Sequence, residues 1–85
     1  MPVVDITKQT VQRILAEDVV SFSEAQSEIA AATRRRPDKS TMHRWRQRGV
    51  GGVKLEAIRL GSQWFTSRQA ITRFIDARTA QSLGV

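Results

Sequence analysis

Residues 40–52, Ser40-Thr41-Met42-His43-Arg44-Trp45-Arg46-Gln47-Arg48-Gly49-Val50-Gly51-Gly52, decide how the chain reads. Met42 and Trp45 are the apolar side chains ahead of Gly49, and three residues apart they share one face of a helix at ~100° per residue. Gly49 is the usual stop for such a helix, and Asp38 or Ser40 can cap its start, so the spacing predicts a short helix over residues 40–48. The face opposite the two apolar anchors carries Ser40, His43, Arg44 and Gln47, flanked by Lys39, Thr41, Arg46 and Arg48. It has no acidic residue. A helix selected only for solubility usually mixes charge signs. The plainer alternative, a polar outer face with no partner, stays open, above all for His43.

Working outward, three helix starts share one local grammar. Thr7, Ser21 and Thr66 can each cap a helix, with apolar pairs Ile6 and Val11, Val20 and Ala25, Phe65 and Ala70 forming hydrophobic staples. Ser21 with Glu24 and Thr66 with Gln69 add capping boxes. The predicted helices cover residues 8–17, burying Val11, Ile14 and Leu15; 22–33, burying Phe22, Ala25, Ile29 and Ala32; and 67–78, burying Ala70, Ile71, Phe74 and Ile75. Residues 33–38 form a basic turn closed by Pro37, and residues 80–85 are expected to fray. After Gly49 the period becomes strand-like. Residues 53–60 read as a strand, with Gly61-Ser62 as a two-residue hairpin loop pairing Leu60 with Gln63, Arg59 with Trp64 and Ile58 with Phe65. Val53 and Leu55 then fall opposite Ile58 and Leu60, so a bulge or bend is expected near Ala57.

Composition narrows the function. The 85 residues hold 14 Lys and Arg, 8 Asp and Glu, one His and no Cys, which excludes disulfide scaffolds, thiolate metal sites and Cys nucleophiles. The length fits one domain over residues 1–85 without a deep cavity. The longest apolar run, residues 29–32, is far short of the ~20 residues of a membrane helix, and the expected location is the cytoplasm, on the nucleoid. The net charge of +6 is uneven: residues 1–33 sum to −3 and residues 34–59 to +7. That block holds Arg34, Arg35, Arg36, Lys39, Arg44, Arg46, Arg48, Lys54 and Arg59, mostly guanidinium groups, which suit bidentate phosphate and guanine contacts. A solvated charge run is the alternative.

Catalysis is not expected. Glu24 and Glu28 share an exposed helix face without the desolvation that would separate their pKa values. His43 has no nucleophile partner by spacing, and residues 49–52 lack the Lys-Ser/Thr of a phosphate loop. No cofactor, metal or small-molecule substrate is implied.

Helix, helix, short helix, hairpin and helix is the order of a winged helix-turn-helix, mainly α with a β-hairpin wing (α-α-α-β-β-α). In that arrangement Ser40, His43, Arg44 and Gln47 would contact bases in the major groove. Arg34, Arg35, Arg36, Lys39, Thr41, Arg46, Arg48, Lys54 and Arg59 would hold the backbone. Trp45 reads as a core anchor. Trp64, opposite Arg59, reads as a cation–π cover for the core edge ahead of a wing contact. Arg68 opposes the dipole of its helix, a weak sign of a phosphate contact.

Residues 20–74 resemble the excisionase-like, MerR-like winged-helix domains of small bacterial and phage DNA-binding proteins. The resemblance is carried by Ser21-Phe22-Ser23-Glu24-Ala25, residues 40–49, Ala57-Ile58-Arg59-Leu60-Gly61-Ser62 and Thr66-Ser67-Arg68-Gln69-Ala70. The stretch from Arg48 to Glu56 is most similar to a group of short bacterial proteins of unknown function. The resemblance implies double-stranded DNA binding by an accessory factor of a mobile element or a small transcriptional regulator. An integrase, or further copies of the chain on DNA, would be the partners. The turn at residues 33–38 and the stretch 50–56 are longer than the compact motif has. Two rivals remain: a protein-interaction module that binds a recombinase or polymerase subunit through the acidic residues 5–28, and a binder of structured RNA.

Overall fold

The computed structural model describes the backbone of residues 4–84 and the side chains of residues 8–84. Helix α1 spans Val4–Leu15, strand β1 Val19–Ser21, helix α2 Phe22–Thr33, helix α3 Lys39–Gln47, strands β2 Ile58–Leu60 and β3 Gln63–Ser67, and helix α4 Arg68–Ser82. Four helices thus surround a three-stranded antiparallel sheet in the order β1-β3-β2, a small α/β fold. The expected helices and hairpin are present, and β1 is an addition that sequence reading missed.

Helix α2 begins as read. Ser21 accepts from the Glu24 amide while the Glu24 carboxylate accepts from the Ser21 amide at 2.8 Å, so two orphan N–H groups are satisfied reciprocally. Phe22 and Ala25 are buried and Ile29 is half-buried. Ala32, expected inside, is exposed, because the last turn runs past the core before Arg34 ends the helix at φ 63°. Gln26 is buried in its place, its side-chain amide donating to the Pro37 carbonyl at 2.9 Å and tying the basic turn to α2.

Asp38, not Ser40, caps α3: its carboxylate accepts from the Thr41 amide at 2.9 Å, which starts the helix at Lys39. Met42 is fully buried, and Trp45 packs against Phe74 with ring centroids 4.9 Å apart. Gly49 ends the helix at φ +73°, where a Cβ would stand 2.2 Å from the Val53 carbonyl oxygen. Only glycine fits there.

Expectations at the ends of α1 and α4 need correction. Helix α1 starts at Val4, so Thr7 lies inside it rather than at its cap; Thr7 lacked the Glu or Gln that completes the box at Ser21. The staple side chain of Ile6 lies outside the described residues. Ile14 is fully buried but Leu15 is 56% exposed. Here the last turn tightens, with the Glu17 amide bonding to the Ile14 carbonyl, and the chain leaves the core. Helix α4 is capped by Ser67, whose hydroxyl accepts from the Ala70 amide at 2.8 Å. Thr66 is buried in β3 and donates to the Glu56 carbonyl at 2.7 Å, and Gln69 bonds to Asp18 rather than to the cap. Ala70, Ile71 and Phe74 are buried, while Ile75 is 44% exposed. The helix continues to Ser82, four residues past the end read at residue 78, and Val85 lies outside the described residues.

The hairpin pairs as read, Leu60 with Gln63, Arg59 with Trp64 and Ile58 with Phe65. The long strand at residues 53–60 does not form. Val50 and Val53 bond to each other across Gly51-Gly52, closing a tight turn with both glycines at positive φ. Leu55 then drops into the core, its amide donating to the Trp45 carbonyl at 2.9 Å. Leu55 and Ile58 are both buried three residues apart, which a period of two cannot achieve, so the chain leaves strand geometry over residues 54–57, where a bulge or bend is expected. The core is Ile14, Val20, Phe22, Ala25, Met42, Leu55, Ile58, Ala70, Ile71 and Phe74, drawn from all four helices, the sheet and the segment before β2 that carries Leu55. Among the described residues no helix is long and apolar enough to cross a membrane.

Candidate nucleic-acid interface

The ion pairs show which charges the fold uses. Arg73 of α4 pairs with Glu17 at 2.6 Å and with Glu56, which also holds Arg13 of α1 at 3.0 Å. Arg68 binds Glu28 through two nitrogens, the closer at 2.7 Å, so the unfavourable place of Arg68 at a helix start has an internal reason. These bonds hold the Glu17 and Glu28 carboxyls below their ordinary range, the Arg73 and Arg68 hydrogen bonds being the largest causes. Asp18 bonds to Gln69, and Glu24 serves the α2 cap. All four of these carboxylates from the acidic first third are therefore engaged inside the fold.

The basic block is used differently. Among the described residues none of its nine cations forms an ion pair. Ser40, Arg44 and Gln47 are exposed on α3, with Lys39 and Arg48 exposed beside them and Thr41 half-buried. Arg34, Arg35 and Arg36 are exposed in the turn between α2 and α3, where Arg36 donates to the Ser27 hydroxyl at 2.9 Å. Lys54 is exposed after the glycine turn, and Arg59 is exposed on β2, folded back so that its Nε donates to the Gly61 carbonyl at 3.1 Å. Among the described residues, therefore, the cations of the block lack ion-pair partners, and most are exposed.

Two predicted contact residues face inward. His43 is half-buried against Phe22, ring centroids 5.3 Å apart, and meets the Trp64 edge at 6.4 Å. Its Nδ1 accepts from Arg46 Nε at 3.0 Å, which requires a neutral ring protonated on Nε2. Burial first, then the charges of Arg46 and Lys39, push the His43 pKa below its ordinary value and favour that neutral form. The Arg46 guanidinium lies 3.7 Å from the Trp64 ring centroid, and Arg59 is more distant at 5.9 Å. Trp64 is a cation–π cover as read, but its main cation is Arg46. His43 and Arg46 thus bracket α3 to the hairpin. The signal lay in the sequence, because residues 43 and 46 are three apart and share a helix face. Their common partner on β3 was visible only in the fold. A polar groove of about 600 Å³ runs between the start of α2, α3 and the hairpin, with Lys39, His43, Arg59 and Trp64 in its walls.

The fold and these side chains define a small α/β protein in which, among the described residues, the cations of residues 34–59 form no internal ion pair. The chain belongs to the family described as Protein of unknown function (DUF1580), whose model matches residues 26–79, from α2 into α4. No curated protein and no solved structure matches the chain.

Proposed function

We propose that the protein binds double-stranded DNA as a winged helix-turn-helix of the excisionase-like kind, with α3 in the major groove and the β2–β3 hairpin as the wing. It would serve as an accessory factor in DNA recombination or as a small transcriptional regulator, beside an integrase or further copies of itself. One observation carries this reading. Among the described residues the nine cations of residues 34–59 lack ion-pair partners, whereas Glu17, Asp18, Glu24 and Glu28 are engaged within the fold. A surface of unpaired Arg and Lys is what counterion release on duplex DNA requires. The same pairing counts against recruitment of a protein through the acidic first third, because those side chains would first have to leave their partners.

Within this reading the roles divide. Ser40, Arg44 and Gln47 read bases, Arg44 at guanine and Gln47 at adenine. Arg34, Arg35, Arg36, Lys39, Arg48, Lys54 and Arg59 hold phosphates. His43 and Arg46 set the angle between α3 and the wing. Competition binding among duplex sites tests the division: Arg44→Ala should cut preference for the best site by about 1 to 3 kcal/mol, while Arg35→Ala weakens all sequences alike. Unchanged site preference in Arg44→Ala would overturn the assignment of α3 as the reading helix.

A further inference from the structure

Helix α4 carries an apolar face that the described chain leaves open. At ~100° per residue, Ile75, Thr79 and Leu83 lie within ~80° of one another, Arg78 lies ~60° to one side of Ile75, and Asp76 lies ~100° to the other. Ile75 is 44% and Leu83 73% exposed. Both line a shallow groove of about 320 Å³ with Trp45 and Phe74 in its walls. Arg78 lines it too, and its Nε is buried without a hydrogen-bond partner, a costly state for a charged group. Asp76 is exposed, and among the described residues it is the carboxylate that neither pairs, caps nor accepts a hydrogen bond.

We propose that a second copy of this chain covers this face, the two α4 helices lying side by side and running in the same direction. A two-fold interface uses one patch twice, so the patch must contain its own complement. This one does: an apolar centre, with a cation on one flank and an anion on the other that are both unpaired among the described residues. With the dyad along the helices, the Arg78 flank of each copy meets the Asp76 flank of the other, and two ion pairs form. With the helices antiparallel, like flanks meet and the charges repel. Trp45 is turned ~100° to ~160° around α3 from Arg44, Ser40 and Gln47, so pairing leaves those three free, and the inference stands whether or not they bind DNA. One helix face buries less than the ~1,200 Å² of a standard interface. The dimer is accordingly weak.

Sedimentation equilibrium from ~10 µM to ~1 mM tests this. The apparent mass of the wild type should climb from one chain toward two. Leu83→Asp should lower association about tenfold or more, with a helical spectrum and melting like the wild type, since Leu83 is largely exposed. Asp76→Arg and Arg78→Asp should each weaken association several-fold, and the double variant should recover it, because the exchange restores opposite charges across the dyad. Recovery in the double variant supports the parallel pairing. A wild type that stays monomeric at ~1 mM, association indifferent to Leu83→Asp, or a double variant no better than the singles would overturn it; in the first case the face belongs to a different partner.

Discussion

Ser67→Ala separates the observed start of α4 from the start read in sequence at Thr66. Ser67 is fully buried, and its hydroxyl accepts from the Ala70 amide at 2.8 Å while donating to Glu17 at 2.6 Å. Losing an N-cap costs about 1 kcal/mol. Losing a hydrogen bond to a charged acceptor costs a further ~1.5 to 3 kcal/mol. Glu17 keeps Arg73, and its side chain is 16% exposed, so water replaces part of the lost donor. The expected total is about 2 to 3 kcal/mol. In urea, with a slope of ~1 kcal/mol per M for a chain this small, the midpoint should fall by about 2 to 3 M. Thr66→Val, which removes the hydroxyl bonded to the Glu56 carbonyl, should cost only about 1 kcal/mol. The difference is pH-dependent. The Glu17 pKa is held below its ordinary 4.5, chiefly by Arg73 and also by Ser67. Stabilisation from a depressed carboxyl is present above the unfolded value and lost as pH falls through the folded one. The gap between wild type and Ser67→Ala should therefore narrow below ~pH 4. A loss under ~1 kcal/mol at neutral pH, or a larger loss in Thr66→Val, would refute the assignment of the cap.

Gly49→Ala should destabilise by more than ~2 kcal/mol, since positive φ and a Cβ against the Val53 carbonyl act together, whereas Gly52→Ala, at φ +85° in open space, should cost about 1 to 2 kcal/mol; thermal melting compares the two. His43 titrates below 6.5 in the folded chain, so the unfolded chain binds its proton first and stability should fall as pH drops from about 6.5 through the folded value. His43→Gln should lack that slope, and an NMR titration placing the His43 pKa above 6.5 would contradict the buried Nδ1 acceptor.

Local grammar was the legible part of the sequence. The Ser21 capping box, the Gly49 stop and the Gly61-Ser62 loop each depend on two to four adjacent residues, and all three appear where they were read. Strand β1 was not legible, because Val19–Ser21 becomes a strand only by pairing with Phe65, Thr66 and Ser67 far along the chain. Thr66 was read as the cap of α4, but the sheet extends through Ser67 and moves the cap one residue on. Leu55 defeated the strand reading because its burial depends on a bond to Trp45 that no period encodes. At the candidate interface, Arg44, Gln47 and Ser40 are exposed as the helical wheel required. His43 and Arg46 are drawn inward by Phe22 and Trp64, neighbours supplied by other elements.

Everything proposed about DNA rests on the unpaired cations of residues 34–59, and their most direct test is the salt dependence of duplex binding. With a labelled duplex of about 20 base pairs, fluorescence anisotropy between ~50 and ~200 mM salt should show affinity falling about a thousandfold, a log–log slope near −5 for ~6 neutralised phosphates. Absence of binding to any duplex at ~50 mM salt, or a slope near zero, would contradict the account.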